Sequence, residues 1–136
     1  MFSKSFYTLL AQHLNADGVL VTQATSPVFA TQAFWSIANT LAATPSPYAL
    51  DESLQILPYH VYVPSFGEWG FVLAAPRLAA WETIQVSVPT RFLDADALQS
   101  MHRFARDIAA VDAQVNTIHT HMLPKYYEQG WAKWFR

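Results

Sequence analysis

Two apolar runs that face each other across a short glycine turn constrain this chain most. Residues 54–63, "LQILPYHVYV", and 69–75, "WGFVLAA", are separated only by "PSFGE" at 64–68. Runs of β-branched and aromatic residues bounded by Gly and Pro read as strands, and a connection this short joins antiparallel neighbours. Pro58 lacks the N–H that a central strand must donate, so the first run belongs at a sheet edge or a bulge. Tyr59 and Tyr62 are three apart and face opposite sides, whereas His60 and Tyr62 share one.

Upstream of the hairpin, "SKSFYTLLAQHL" at 3–14 puts Phe6, Leu9, Leu10 and Leu14 at helical spacing. Ser3 or Ser5 serves as its cap, and Gly18 is expected to stop it in the left-handed conformation. "VLVTQ" at 19–23 is short, β-branched and mostly apolar, the pattern of a strand buried on both faces. A helix followed so closely by such a strand is the αβ half of a crossover unit. "ATSP" at 24–27 then turns just past the carboxyl end of that strand, where open α/β sheets bind ligands. Thr31 is expected to cap a helix over 32–43 with Phe34, Ile37, Ala38 and Leu41 on one face. Residues 43–53 read as loop.

After Pro76, "TIQVS" at 83–87 reads as a short strand. Asp94 caps a helix running to about 105. Residues 112–122 read as helical, and "KYYEQGWAKWF" after Pro124 forms a helix with Tyr127, Trp131 and Trp134 on one side. The order α-β-α-β-β, ending in an antiparallel β-hairpin, is half of an α/β fold. A doubly wound domain opens instead with a strand, a glycine-rich turn and a nucleotide-holding helix. The four glycines, Gly18, Gly67, Gly70 and Gly130, form no G-x-G. Two parts are expected: an α/β part over 1–76, and a mixed, mainly helical extension over 77–136 packing on it.

Composition excludes several classes. Charged residues make up 13% of the chain, against about 25% in ordinary soluble domains. A surface this short of charge is expected where a partner covers it or where the chain is cut from something larger, and open strand edges invite pairing into a homo-oligomer. Lys and Arg are scattered and the net charge is −2, so nucleic acid is not an expected partner. The absence of cysteine excludes disulfides and thiolate metal sites and suits a reducing compartment, the cytoplasm. No apolar run approaches the roughly 20 residues of a membrane span, and "MFSKSFYTLL" does not read as a signal peptide. His119 and His121 lack a third ligand, so no metal is expected.

"FYTLLAQHLNADGVLVTQATSP" followed by "PYHVYVPSFGEWGFVLA" resembles the C-terminal half of the polyamine aminopropyltransferases, the spermidine synthases. The similarity is closest to bacterial members that carry an additional membrane-embedded region. "TRFLDADAL" and "YYEQGWAKW" resemble the tail of that subgroup, while the spacer 44–57 is the least similar part. The resemblance implies a Rossmann-like, methyltransferase-type fold whose sheet ends in a reversed hairpin strand. It implies an enzyme that uses decarboxylated S-adenosylmethionine as co-substrate, holds no tightly bound cofactor, and transfers an aminopropyl group to putrescine. The family's catalytic aspartate and nucleoside-binding acids precede the segment matching "FSKSFY". They are therefore expected upstream of Met1, in a missing N-terminal half supplied by the same or another chain. No catalytic residue is expected in this chain, which is expected to be inactive alone.

By the same resemblance, Gln23 matches the glutamine that hydrogen-bonds the diamine. "PSFGEWGF" matches the family's substrate-closing turn, with Phe66 standing where a tyrosine is usual and Trp69 at an apolar wall position. Phenylalanine packs on methylenes but cannot hydrogen-bond an amine. Either Glu68 takes over the amine, or the substrate is not putrescine. The expected substrate-binding set is thus Gln23, Phe66, Glu68 and Trp69. The alternatives are a non-catalytic partner- or cation-binding domain and a methyltransferase-like remnant.

Overall fold

The computed structural model describes residues 1–135; Arg136, the end of the expected 77–136 extension, lies outside the described residues. Ser3 accepts a hydrogen bond from the Phe6 N–H and opens helix α1, Lys4–Ala11. Strand β1, Leu20–Gln23, and helix α2, Thr31–Ala42, follow. The hairpin is β2, Gln55–Val63, and β3, Gly67–Ala75. A 3-10 turn at Trp81–Thr83 leads to α3, Ala95–Met101, and α4, Met122–Ala132. The architecture is mixed α/β around one antiparallel sheet of order β1-β3-β2.

The hairpin forms as its residues dictate. Gly67 takes φ +73, which only glycine adopts freely, and Pro58 lies on β2, at the sheet edge. Directly opposed residues of an antiparallel ladder share a face. One face therefore carries Leu20, Thr22, Val72, Ala74, Ile56, Pro58 and His60. On it, Val72 and Ala74 are fully buried beneath Tyr7 of α1 and Phe34, Ile37 and Leu41 of α2. The other face carries Val21, Gln23, Phe71, Leu73, Leu57 and Tyr59. Tyr59 stacks on Phe71 at 5.3 Å and meets Trp81 at 5.9 Å, so its β2 side is covered while Val21 at the β1 side stays exposed.

β1 is therefore not a strand buried on both faces. Its burial alternates, and its only ladder among the described residues is antiparallel to β3. The local run Val-Leu-Val cannot tell a central strand from an edge; the position of β3 decides it. The α1 stripe also differs from the periodic reading: Tyr7 and Ala11 are buried while Leu9 is exposed. Gly18 is not left-handed. A Cβ there would lie 2.9 Å from the Asn15 nitrogen, so close backbone approach is what the position needs. α2 begins without a side-chain cap, and the Thr31 hydroxyl donates to the Pro27 carbonyl instead.

Two downstream expectations fail for identifiable reasons. Residues 83–87 form no strand beyond the 3-10 turn. One backbone group of β2, the Pro58 carbonyl, is bonded by the His102 side chain instead, and Pro58 has no N–H to offer. Residues 112–116 are not helical, because α2 satisfies their backbone. Ser36 Oγ donates to Gln114 O at 2.7 Å, and Asn39 Nδ2 to Ala113 O at 2.8 Å. The Asn116 N–H donates to Thr40 Oγ1 at 2.9 Å. Asn116 then ties the chain start to the last helix, donating to Phe2 O and accepting from Leu123 N–H.

Tyr7 gives this core an alkaline limit. Burial pushes its phenol up from the ordinary 10.0 to about 12, slightly offset by its bond to Thr22. A raised folded pKa means stability is complete below the unfolded pKa and is lost as pH rises from about 10 through about 12. The expected loss is on the order of 2 kcal/mol, and burial of Tyr59 adds in the same direction. Urea titrations across that range should show the decline in the native chain and a shallower one in Tyr7→Phe. Equal declines would mean another group titrates.

Candidate functional site

The carboxyl end of β1 leads into one of the described non-glycine residues that hold positive φ. After Gln23 the backbone does not continue as a regular strand. The Ala24 N–H donates to Gly70 O at 2.9 Å, and the Gly70 N–H donates to Thr25 O at 2.7 Å. Thr25 holds φ 63, which a β-branched residue adopts only under strain. Such strain collects at ligand clamps and switch regions. The Thr25 hydroxyl is buried and has no partner among the described residues. Ser26 then accepts from the Val28 and Phe29 N–H groups and shapes the turn into α2.

Gln23 projects from this end, exposed and directly opposite Phe71. Trp69 lies two residues along β3, on the same face, within diagonal reach of a long side chain. Phe66, 60% exposed at the hairpin tip, packs on Trp69 at 5.2 Å between ring centres. Gln23, Trp69 and Phe66 thus belong to one side of the sheet end. Glu68 does not join them. Its register partner is Tyr62, which places it on the other face, where its carboxylate meets His60 Nδ1. His60 Nε2 donates to the Arg103 carbonyl at 2.9 Å. Both ring nitrogens are therefore engaged, and Glu68 with His60 anchors the hairpin to the segment at 102–104.

Sequence reasoning missed Phe29. Its ring stacks on Trp131 at 5.0 Å and meets Trp134 edge-on at 5.2 Å. A Cβ on Gly67 would meet the same Phe29 ring at 3.9 Å, so the ring lies beside the hairpin turn. The helical spacing of Tyr127, Trp131 and Trp134 was legible; the partner in the 24–30 turn was not. Two shallow pockets border that turn. One of about 210 Å³ lies between Val28, Phe29, Lys133 and Trp134. The other, about 260 Å³, lies between Phe2, Thr25, Ile37 and Tyr127. Neither is lined by Gln23, Phe66, Glu68 or Trp69. Those residues form an open wall.

His119 and His121 are exposed, and among the described residues no three His, Asp or Glu side chains converge as a metal site. Among the same residues no helix is long and apolar enough to cross a membrane.

No protein-family model matches the chain. Known proteins do. It is 40% identical over 132 residues to polyamine aminopropyltransferase 2 of Ralstonia nicotianae, a match covering 96% of this chain and 24% of that protein. Polyamine aminopropyltransferase of Oceanobacillus iheyensis is 35% identical over 138 residues, covering 98% and 25%. That of Leptospira interrogans is 34% identical over 133 residues, with the same coverage. The chain spans about a quarter of the length of these relatives.

Proposed function

We propose that this chain, a partial-length relative of the polyamine aminopropyltransferases, forms the amine-facing wall of an aminopropyl-transfer site in the C-terminal part of a Rossmann-like, methyltransferase-type fold. The observation that carries the reading is the position of Gln23. It stands exposed at a strand's carboxyl end, on the face of Trp69 and beside a strained turn. Putrescine is a flexible dication, and this wall suits one. The Gln23 amide oxygen accepts from an amine N–H and fixes the direction of the nitrogen. Trp69 and Phe66 pack on the methylenes and attract the cation through their ring faces, worth about 0.5–1 kcal/mol at an exposed site. Glu68 is held by His60 across the sheet, so Gln23, Phe66 and Trp69 are the contacting set.

In the reaction proposed, the amine nitrogen forms a bond to the carbon beside the sulfonium of decarboxylated S-adenosylmethionine. The carbon–sulfur bond breaks and methylthioadenosine leaves. The nitrogen must first be unprotonated, because an ammonium has no lone pair. The carboxylate that takes this proton and the nucleoside site are assigned to the part of the relatives that this chain does not span. Residues 1–76 supply the wall, and 77–135 pack against them.

Putrescine titrated into the labelled chain should shift the amide signals of Gln23, Phe66 and Trp69. Gln23→Ala should weaken that affinity about tenfold, the loss of one hydrogen bond to a charged group. Unchanged affinity in Gln23→Ala would remove Gln23 from the site.

A further inference from the structure

We infer that helix α4 belongs to the same site, and that Trp131 is a positioning residue which holds the hairpin turn through Phe29. The functional meaning of this rests on the reading above; the mechanical coupling does not. Three observations carry it. Gly67 of the turn lies beside the Phe29 ring, which a Cβ built on it would meet at 3.9 Å. The Phe29 ring is fixed from behind by Trp131, stacked at 5.0 Å with only 17° between planes. Trp131 is brought there by Gly130, whose missing side chain lets α4 approach the Phe29 carbonyl and Ala30. A Cβ on Gly130 would lie 2.7 Å and 2.8 Å from them.

None of the described residues of α4 is fully buried; besides this aromatic contact and the close helix approach, it is held at its start, where Leu123 packs on the core and its N–H bonds Asn116. The indole N–H of Trp131 is buried without a partner among the described residues. An unmade hydrogen bond is costly, so the position uses the flat ring rather than the polar atom. Phenylalanine should therefore substitute for it. The chain of contacts runs from α4 to Phe29, to Gly67, to the turn that presents Phe66 and Trp69. Motion of α4 would open or close the wall that faces the amine.

Hydrogen exchange without any amine tests this. The Phe66 N–H is bonded to the Val63 carbonyl at 2.9 Å and reports the turn; the Val72 amide in the central strand reports global opening. Trp131→Ala should speed Phe66 exchange relative to Val72 by up to about tenfold, the range expected of one aromatic pair. Trp131→Phe should stay close to the native ratio. Leu98→Ala, which weakens the fold elsewhere, should speed Val72 exchange and not raise the ratio. An unaltered ratio in Trp131→Ala, or a ratio in Trp131→Phe as high as in the alanine variant, would overturn the proposal. If Trp131→Ala does not fold, Phe29→Leu must raise the ratio in its place, and its failure to do so would overturn the proposal equally. Amine titration of the native chain is read separately. Coupling intact without amine binding would sink the amine reading and leave the positioning role standing.

Discussion

Gly70→Ala is expected to destabilise the chain by about 3 kcal/mol or more, at the upper end of what overpacking a core costs. A Cβ at Gly70 would lie 2.4 Å and 2.5 Å from two ring atoms of Phe34, and 2.8 Å from the Thr25 carbonyl oxygen. Neither neighbour can yield. Phe34 is fully buried, with Trp35 and Phe104 against its ring at 5.1 Å and 5.5 Å. The Thr25 carbonyl is fixed by the Gly70 N–H itself. The clash also sits where β3 meets the strained turn after Gln23, so fold and site fail together. Chemical denaturation gives the cost directly. The mechanism makes a second demand: Phe34→Leu, which removes the flat ring, should recover part of the loss in the double variant. Strict additivity of the two substitutions would show that the Phe34 contact is not the cause.

Gly130→Ala should cost about 2 kcal/mol, again by overpacking, but the damage should be local. The obstructing atoms are backbone and Cβ atoms of Phe29 and Ala30 at the start of α2. Backbone cannot rotate away, so α4 must lift. The expected outcome is a chain whose β-sheet amides keep their protection while those of Met122–Ala132 lose it. Trp131, Trp134 and the Phe29 ring should separate, with a change in tryptophan emission. A uniform loss of protection across the sheet would mean that α4 is structurally inseparable from the core, against its lack of fully buried residues.

The hairpin was legible because its signals agree: β-branched runs, a glycine able to take positive φ, and a proline that only an edge tolerates. The buried face of α2 was legible for a similar reason, since Phe34, Ile37, Ala38 and Leu41 repeat at helical spacing and are all buried. What escaped depends on partners distant in sequence. Nothing in "VLVTQ" tells whether a second neighbour exists. Nothing in 112–116 reveals that Ser36, Asn39 and Thr40 will take its backbone groups in place of a helix. In the site, Gln23 and Trp69 lie on one face, as a strand-end reading requires. The separation of Glu68 was available in principle: adjacent strand residues point to opposite faces, so Glu68 and Trp69 could not line one wall. Phe29 carried no local signal, because an aromatic in a turn reads the same whether it packs under a helix or faces water.

Calorimetric titration of the chain with putrescine, and in parallel with methylthioadenosine, tests the central claim most directly. An amine-facing wall without a nucleoside site predicts saturable heat with putrescine, weakened in Gln23→Ala, and none with methylthioadenosine. Nucleoside binding by this chain alone, or no response to the diamine at any concentration, would contradict it.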